Sequence, residues 1–265
     1  MSANSSPNDA RIDTSQEREL EFWEDYAIFM ATRERKVYLN SPLYREEFKT
    51  ISEFILPRKG EKWLDLGCGA LPAAELIYNM SGEKAEVWGG DIYLCAAQKR
   101  LRELDYPPIK LKQIDLTKRL LFLDNYFDGI VASKVLNYII ESQGETGKSA
   151  LIKIFLELFR ILKPGGVLVW SSFGKEINRQ KAAKVYFKYL LNPVEWIKAR
   201  YFLPIFAVKI FRWAKPFEEK IKGGVYHSLS EQEYDELLLL AGFENSEWKR
   251  TFANQLLVNK VNKPL

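Results

Sequence analysis

The chain has 265 residues, of which 47% are apolar and 28% charged, and carries a net charge of +4. This length buries a sizeable core, as one elaborated domain or two small ones, and the composition excludes a disordered or fibrous chain. So modest a charge gives no ground for nucleic-acid binding, no stretch reaches the roughly 18 uncharged apolar residues of a membrane span, and the only cysteines, Cys68 and Cys95, offer neither a disulfide framework nor a metal cluster and fit a reducing, cytoplasmic setting.

Met1 to Gln16 is polar, lacks the apolar segment of a secretory signal, and is expected to be a disordered tail. Thr14-Ser15-Gln16-Glu17 has the capping-box pattern and opens a helix in which Leu20, Trp23, Ala27 and Met30 fall at helical spacing. A second helix is predicted over Leu43 to Leu56, followed by a turn at Pro57-Arg58-Lys59-Gly60. Strands are predicted at Lys62–Leu66, Glu86–Gly90, Ile109–Ile114, Phe127–Ala132 and Val167–Ser172. Helices are predicted between most of them, at Pro72–Asn79, Leu94–Leu104 and Ser149–Leu162. The last of these is stopped by Lys163-Pro164-Gly165-Gly166. This alternation implies a doubly wound, mostly parallel sheet with helices on both faces. Ser230–Ala241 reads as a helix with Ser230 as N-cap and Gly242 past its end. Phe243–Lys249 and Phe252–Asn259 read as an antiparallel pair of strands.

Chemistry concentrates at the predicted strand ends. In Trp63-Leu64-Asp65-Leu66-Gly67-Cys68-Gly69-Ala70, a buried strand ends in an acid and a glycine turn. Glycine there lets a ligand approach the backbone. Asp91, in Val87-Trp88-Gly89-Gly90-Asp91-Ile92, stands 22 residues past Gly69. That is the spacing at which an acid meets ribose hydroxyls in dinucleotide folds. An NAD-type GxGxxG would require glycine where this chain has Pro72, and an acid inside the first motif suits an ammonium better than a pyrophosphate. Gln113-Ile114-Asp115-Leu116, the run Leu120 to Val131, Ala132-Ser133-Lys134-Val135-Leu136-Asn137-Tyr138 and Leu158 to Leu168 follow in order.

This ordered set, over roughly residues 61–174, resembles class I (Rossmann-like) S-adenosylmethionine-dependent methyltransferases. The resemblance implies a seven-stranded sheet whose last two strands form the antiparallel pair. It also implies that Asp65, Gly67 and Gly69 hold the methionine end of the cofactor, Asp91 the ribose and Asp115 the adenine, with Ile92, Leu116 and Ser133 as further cofactor-binding residues, Ser133 in the stretch around the methionine end. Two features depart from the family pattern. Leu71 stands where a third glycine is common, with bulk that would narrow the methionine pocket or shift the helix. Asn137-Tyr138 stands where a histidine is common.

For the acceptor, His227 is the only histidine and is a candidate general base, against the alternative of a surface or packing role. Tyr138 and Tyr93 are further candidates, against the favoured alternative of aromatics packed on the cofactor, and Tyr44 and Arg33 are candidates to close over the cofactor carboxylate, a point the sequence leaves open. Lys175 to Lys222 reads as a helical insertion with 12 Lys/Arg against 4 Asp/Glu, hence +8, which leaves −4 for the rest of the chain. Nine aromatic residues lie within Tyr186–Trp213, and Pro193 and Pro204 divide the segment into short helices, one over Ile205–Trp213. It reads as a lid, as an interfacial element on anionic lipid, or as a nucleic-acid surface. Aliphatic residues accompany the aromatics throughout, which favours the lid, with peripheral membrane contact through 186–213 as a compatible addition. Nucleic acid is the least favoured.

The expected organisation is a tail (1–16), an N-terminal helical cover (17–60), a core (61–174 and 226–265) and an insertion or lid (175–225). The expected function is methyl transfer from S-adenosylmethionine to a small hydrophobic acceptor, such as a lipid, quinone or other metabolite. The alternatives are a protein or RNA acceptor and a non-catalytic or membrane-associated scaffold that binds the cofactor. Oligomeric state is not legible.

Overall fold

The computed structural model describes residues 14–32, 39–104, 109–175, 178–192 and 219–265. The expected tail up to residue 13, Arg33, and the expected helix over Ile205–Trp213 with most of the aromatic insertion lie outside the described residues.

The main sheet has seven strands in the order β3-β2-β1-β4-β7-β9-β8. They are β1 (Lys62–Leu66), β2 (Glu86–Asp91), β3 (Lys110–Gln113), β4 (Phe127–Ser133), β7 (Leu162–Phe173), β8 (Glu244–Thr251) and β9 (Leu256–Asn262). The first five pair in parallel, and β9 lies antiparallel between β7 and β8. Four of the five residues of β1 are buried, as expected of a central parallel strand covered on both faces. Its side chains alternate between two cores. Leu64 and Leu66 join Phe127, Phe155 and Trp170 on one face, and Trp63 joins Ile51, Ile77 and Val87 on the other.

The helices are α1 (Thr14–Met30), α2 (Pro42–Phe54), α3 (Pro72–Met80), α4 (Cys95–Leu104), α5 (Gly147–Ile161), α6 (Arg179–Leu190) and α7 (Glu231–Leu240). Residues 14–16, expected in the tail, form the first turn of α1. α7 carries a full capping box, in which the Ser230 hydroxyl accepts from the Glu233 N–H and the Glu233 carboxylate accepts from the Ser230 N–H. α6 belongs to the expected insertion. Its Ala182, Val185 and Tyr186 pack with Leu43, Phe173, Phe252 and Leu256.

Two local expectations are corrected. The helix before Lys163–Gly166 does stop there, at Ile161, but β7 starts at Leu162, ahead of the run, which loops out within the strand between Leu162, opposite Phe127, and Val167, opposite Gly129. β9 starts at Leu256 and not at Phe252, because Phe252, Ala253 and Asn254 all take left-handed φ values of 48°, 56° and 62°. Three such residues turn the chain and cannot extend it. The short hairpin of β5 (Glu141–Ser142) and β6 (Glu145–Thr146) had no sign in the hydrophobic pattern.

Candidate active site

The chain runs outward from β1 through β2 to β3, then returns to place β4 on the other side of β1. Such a reversal opens a crevice beyond the carboxyl ends of the strands. A cavity of about 480 Å³ lies there, within the size range of small-ligand sites. Every residue expected to bind the cofactor lines it: Asp65, Gly67, Gly69, Asp91, Ile92, Asp115, Leu116 and Ser133.

The turn after β1 is held by β2. The Gly67 and Cys68 N–H groups both donate to the Gly90 carbonyl, at 2.8 and 3.0 Å. Gly67 has φ +69°, and a Cβ there would sit 2.7 Å from Val135 Cβ. Gly69 is left-handed too, but a Cβ on it would meet nothing within 4 Å, so its open side is available to a ligand. Leu71 answers the first departure from the family pattern. It takes φ 65° without glycine's freedom and is fully buried. Its side chain points at Gly89 and does not line the cavity, so it does not narrow the pocket.

Two carboxylates stand over this turn. Asp65 is 1% exposed and accepts from the Ala74 N–H at 2.9 Å, capping the N-terminus of α3. Burial pushes its pKa up to about 7, with Ala74 opposing and the nearby Asp91 adding to the rise. Asp91 accepts from the Gly69 N–H at 2.9 Å and the Tyr93 N–H at 3.3 Å, and burial raises its pKa as well. Asp115 differs, because its carboxylate accepts from the Thr117 N–H and hydroxyl and from Lys118. Burial pushes its pKa up, but Thr117 and Lys118 together outweigh burial and hold it below the ordinary range.

The structure separates the two expected catalytic residues. Tyr138 lines the cavity, with its ring 5.0 Å from Trp23 and 5.0 Å from Tyr226. His227 does not line it. Its N–H donates to the Asn137 carbonyl at 2.9 Å, and its Nε2 lies 2.8 Å from the Ile139 carbonyl oxygen. A carbonyl only accepts, so Nε2 carries a proton. Burial lowers the ring's pKa, against that hydrogen bond. His227 thus clamps the turn that presents Tyr138, which favours the packing alternative over the general base. Tyr44 and Tyr93 line the cavity.

Sequence reasoning missed an ion pair in the wall. Lys134 follows β4 and pairs with Glu47 of α2, the lysine side chain 8% and the glutamate 0% exposed. The other Glu47 oxygen accepts from the hydroxyls of Ser133 and Ser171, at 2.7 and 2.6 Å. Burial lowers the Lys134 pKa, opposed by Glu47. A signal was there, since Glu47 stands in the buried stripe of α2 with Leu43, Ile51 and Phe54. An acid on an apolar helix face requires a buried partner.

A six-to-one parallel sheet in this order, with an acid in the last two residues of β1, at the end of β2 and just beyond β3, all lining one crevice, defines a class I S-adenosylmethionine-dependent methyltransferase. The glycine opening and these carboxylates fit a ligand with an ammonium, ribose hydroxyls and an adenine amine. A family profile described as a methyltransferase domain matches residues 57–238, more than half of the chain. The chain belongs to that family. Among curated proteins it is similar to the ubiquinone/menaquinone biosynthesis C-methyltransferase UbiE of Neisseria meningitidis, at 30% identity over 141 residues, 52% of this chain and 53% of that one. It thus spans about half the length of that relative. Demethylmenaquinone methyltransferase of Symbiobacterium thermophilum is 25% identical over 217 residues, 78% of this chain and 76% of that one. A solved S-adenosylmethionine-dependent methyltransferase from Aquifex aeolicus shares the fold, with a TM-score of 0.56 at 18% identity, covering 90% of this chain and 97% of that one.

Proposed function

We propose that this chain transfers a methyl group to a small, apolar, ring-bearing acceptor of the quinone class. The observation that carries this reading is the cavity wall beyond β4 and β7. Leu43, Tyr44, Phe173, Ala182, Tyr186 and Phe252 give it an apolar surface suited to a flat hydrophobic molecule. The names of the two curated relatives support the same class of acceptor.

When bound, S-adenosylmethionine supplies an electrophilic methyl group on a sulfonium. Asp65 would meet its ammonium, Asp91 its ribose hydroxyls and Asp115 its adenine amine. α1 and α2 cover the strand ends through Trp23, Met30, Leu43 and Tyr44, and α6 closes the far side through Ala182 and Tyr186. This makes α6 the described part of a lid. The cover excludes water and holds the acceptor in line, which is most of what a methyl displacement asks of a protein. Tyr138 adds an aromatic ring to the cavity wall. His227 acts through the turn that carries Tyr138, as a positioning residue.

The test is methyl-labelled S-adenosylmethionine with purified protein and a cell extract. Label should enter the organic fraction and should be lost in Asp91→Ala. Label confined to precipitable macromolecules would overturn this reading and favour a protein or RNA acceptor.

A further inference from the structure

The cavity wall beyond β4 and β7 contains two polar groups that are not among the residues expected to hold the cofactor. Lys134 takes φ 52°, and its N–H donates to the Ser171 hydroxyl at 2.9 Å. This left-handed turn directs a lysine into an otherwise apolar wall, which a side chain does not do by default. Its Nζ reaches Glu47, donates to the Ser133 hydroxyl at 3.0 Å and lies 3.8 Å from the centre of the Tyr44 ring. The groups around it are Glu47 and Tyr44 from α2, Ser133 from β4, Ser171 from β7 and, at longer range, Asp65 from β1. Apolar residues would stabilise a fold as well as such a buried pair does, so its position in the cavity wall calls for another reason.

Gln255 provides the second group. Its Oε1 accepts from the Asn178 N–H at 2.6 Å, which fixes which amide atom is oxygen. Its Nε2 has no partner among the described residues, although Gln255 is 3% exposed and lines the cavity. Ser41 and Asn137 also hold unpartnered polar atoms, but neither lines the cavity. A buried amide donor without a partner is a loss unless a ligand fills it.

We propose that Lys134 and Gln255 form a subsite for two oxygens of a planar hydroquinone, or of a phenol with a second oxygen-bearing substituent. The Lys134 ammonium meets the oxygen that ionises, and Gln255 Nε2 donates to the other. This rests on the methyltransferase reading above and specifies the acceptor's ionisation. The acceptor gives its hydroxyl proton to solvent on binding, because Lys134 is the member of the ion pair that lines the cavity, so its ammonium stands nearer the acceptor oxygen than the Glu47 carboxylate behind it and favours the anion. The ring carbon beside the anionic oxygen attacks the methyl carbon, and a carbon–carbon bond forms. The carbon–sulfur bond breaks with its electron pair left on sulfur as a neutral thioether. The ring proton is then lost to water and the oxygen regains one, so anion and sulfonium become two neutral products.

The experiment is an absorbance titration of 4-nitrophenol on the protein saturated with S-adenosylhomocysteine. The wild type should lower the apparent pKa of the bound phenol by about one unit. Glu47→Gln combined with Lys134→Met, which leaves no unpaired buried charge, should abolish that shift. Gln255→Leu should keep the shift and weaken phenol binding by about tenfold. No binding or no shift in the wild type, or an unchanged shift in the double variant, overturns the subsite. Calorimetry of S-adenosylhomocysteine on the same samples separates the two ideas. If the wild type does not bind it, the methyltransferase reading fails. If it binds while the phenol does not respond, the subsite alone fails.

Discussion

Over β1, β2 and β3 the cavity wall is made of residues at or just past the carboxyl end of each strand: Asp65 with Gly67 and Gly69, Asp91 with Ile92, and Asp115 with Leu116. Beyond β4 and β7 the wall is assembled from α2, the end of β4, α6 and the turn at Phe252–Gln255, far apart along the chain. The first half rests on hydrogen bonds from loop N–H groups, such as Gly67 to the Gly90 carbonyl and Gly69 to the Asp91 carboxylate. The second rests on one buried ion pair and on side-chain packing between distant elements. On the proposed reading, a cofactor shared by a whole family would be held by local loops, whereas an acceptor particular to one chain would be held by tertiary contacts.

That contrast breaks most visibly if the ion pair is removed. Glu47→Ala leaves the Lys134 ammonium buried and unpaired, and should cost about 3–5 kcal/mol in urea unfolding. Glu47→Gln with Lys134→Met should recover most of it. Equal losses in the two variants would mean that the pair is not coupled.

The counterpart in the cofactor half is a pH effect at Asp65. Its folded pKa of about 7 lies above the ordinary 3.8, so the folded state holds the proton more tightly than the unfolded chain. Its stabilising contribution is therefore full below about pH 4 and is lost as pH rises through about 7, on the order of 4 kcal/mol. Urea midpoints measured across that window should lose this slope in Asp65→Asn. An unchanged slope would mean that other groups produce it.

Next comes the glycine turn. Gly67→Ala places a Cβ against Val135 at 2.7 Å, at φ +69°, and should cost about 2–3 kcal/mol. Gly69→Ala meets nothing within 4 Å and should cost only the left-handed strain of about 1–2 kcal/mol. Thermal unfolding of both variants checks the order.

The smallest effect lies outside both halves. Ser230→Ala removes the α7 capping box and should cost about 1 kcal/mol, with no change in affinity for S-adenosylhomocysteine.

The local half was legible in the sequence because strand-end acids and glycine turns occur at fixed spacing. Asp65, Asp91 and Asp115 could be placed without knowing what lies above them. The other half was not legible in the same way. Lys134 stood within a quoted motif, and Glu47 interrupted the stripe of Leu43, Ile51 and Phe54, yet nothing local joins residues 87 positions apart. Gln255 was concealed by the misplaced start of β9, since a residue assigned to a strand was not read as a turn residue facing a cavity. His227 was singled out for its titration range, but its surroundings decide its role. Its protonated Nε2 is spent on the Ile139 carbonyl.

Calorimetric binding of S-adenosylhomocysteine tests the division of the cavity most directly. The wild type should bind at one site. Asp91→Ala should weaken binding by at least about tenfold, or 1.4 kcal/mol, whereas Glu47→Gln with Lys134→Met should change it by less than about threefold. Equal weakening by both variants, or indifference to Asp91→Ala, would contradict a cofactor half and an acceptor half built separately.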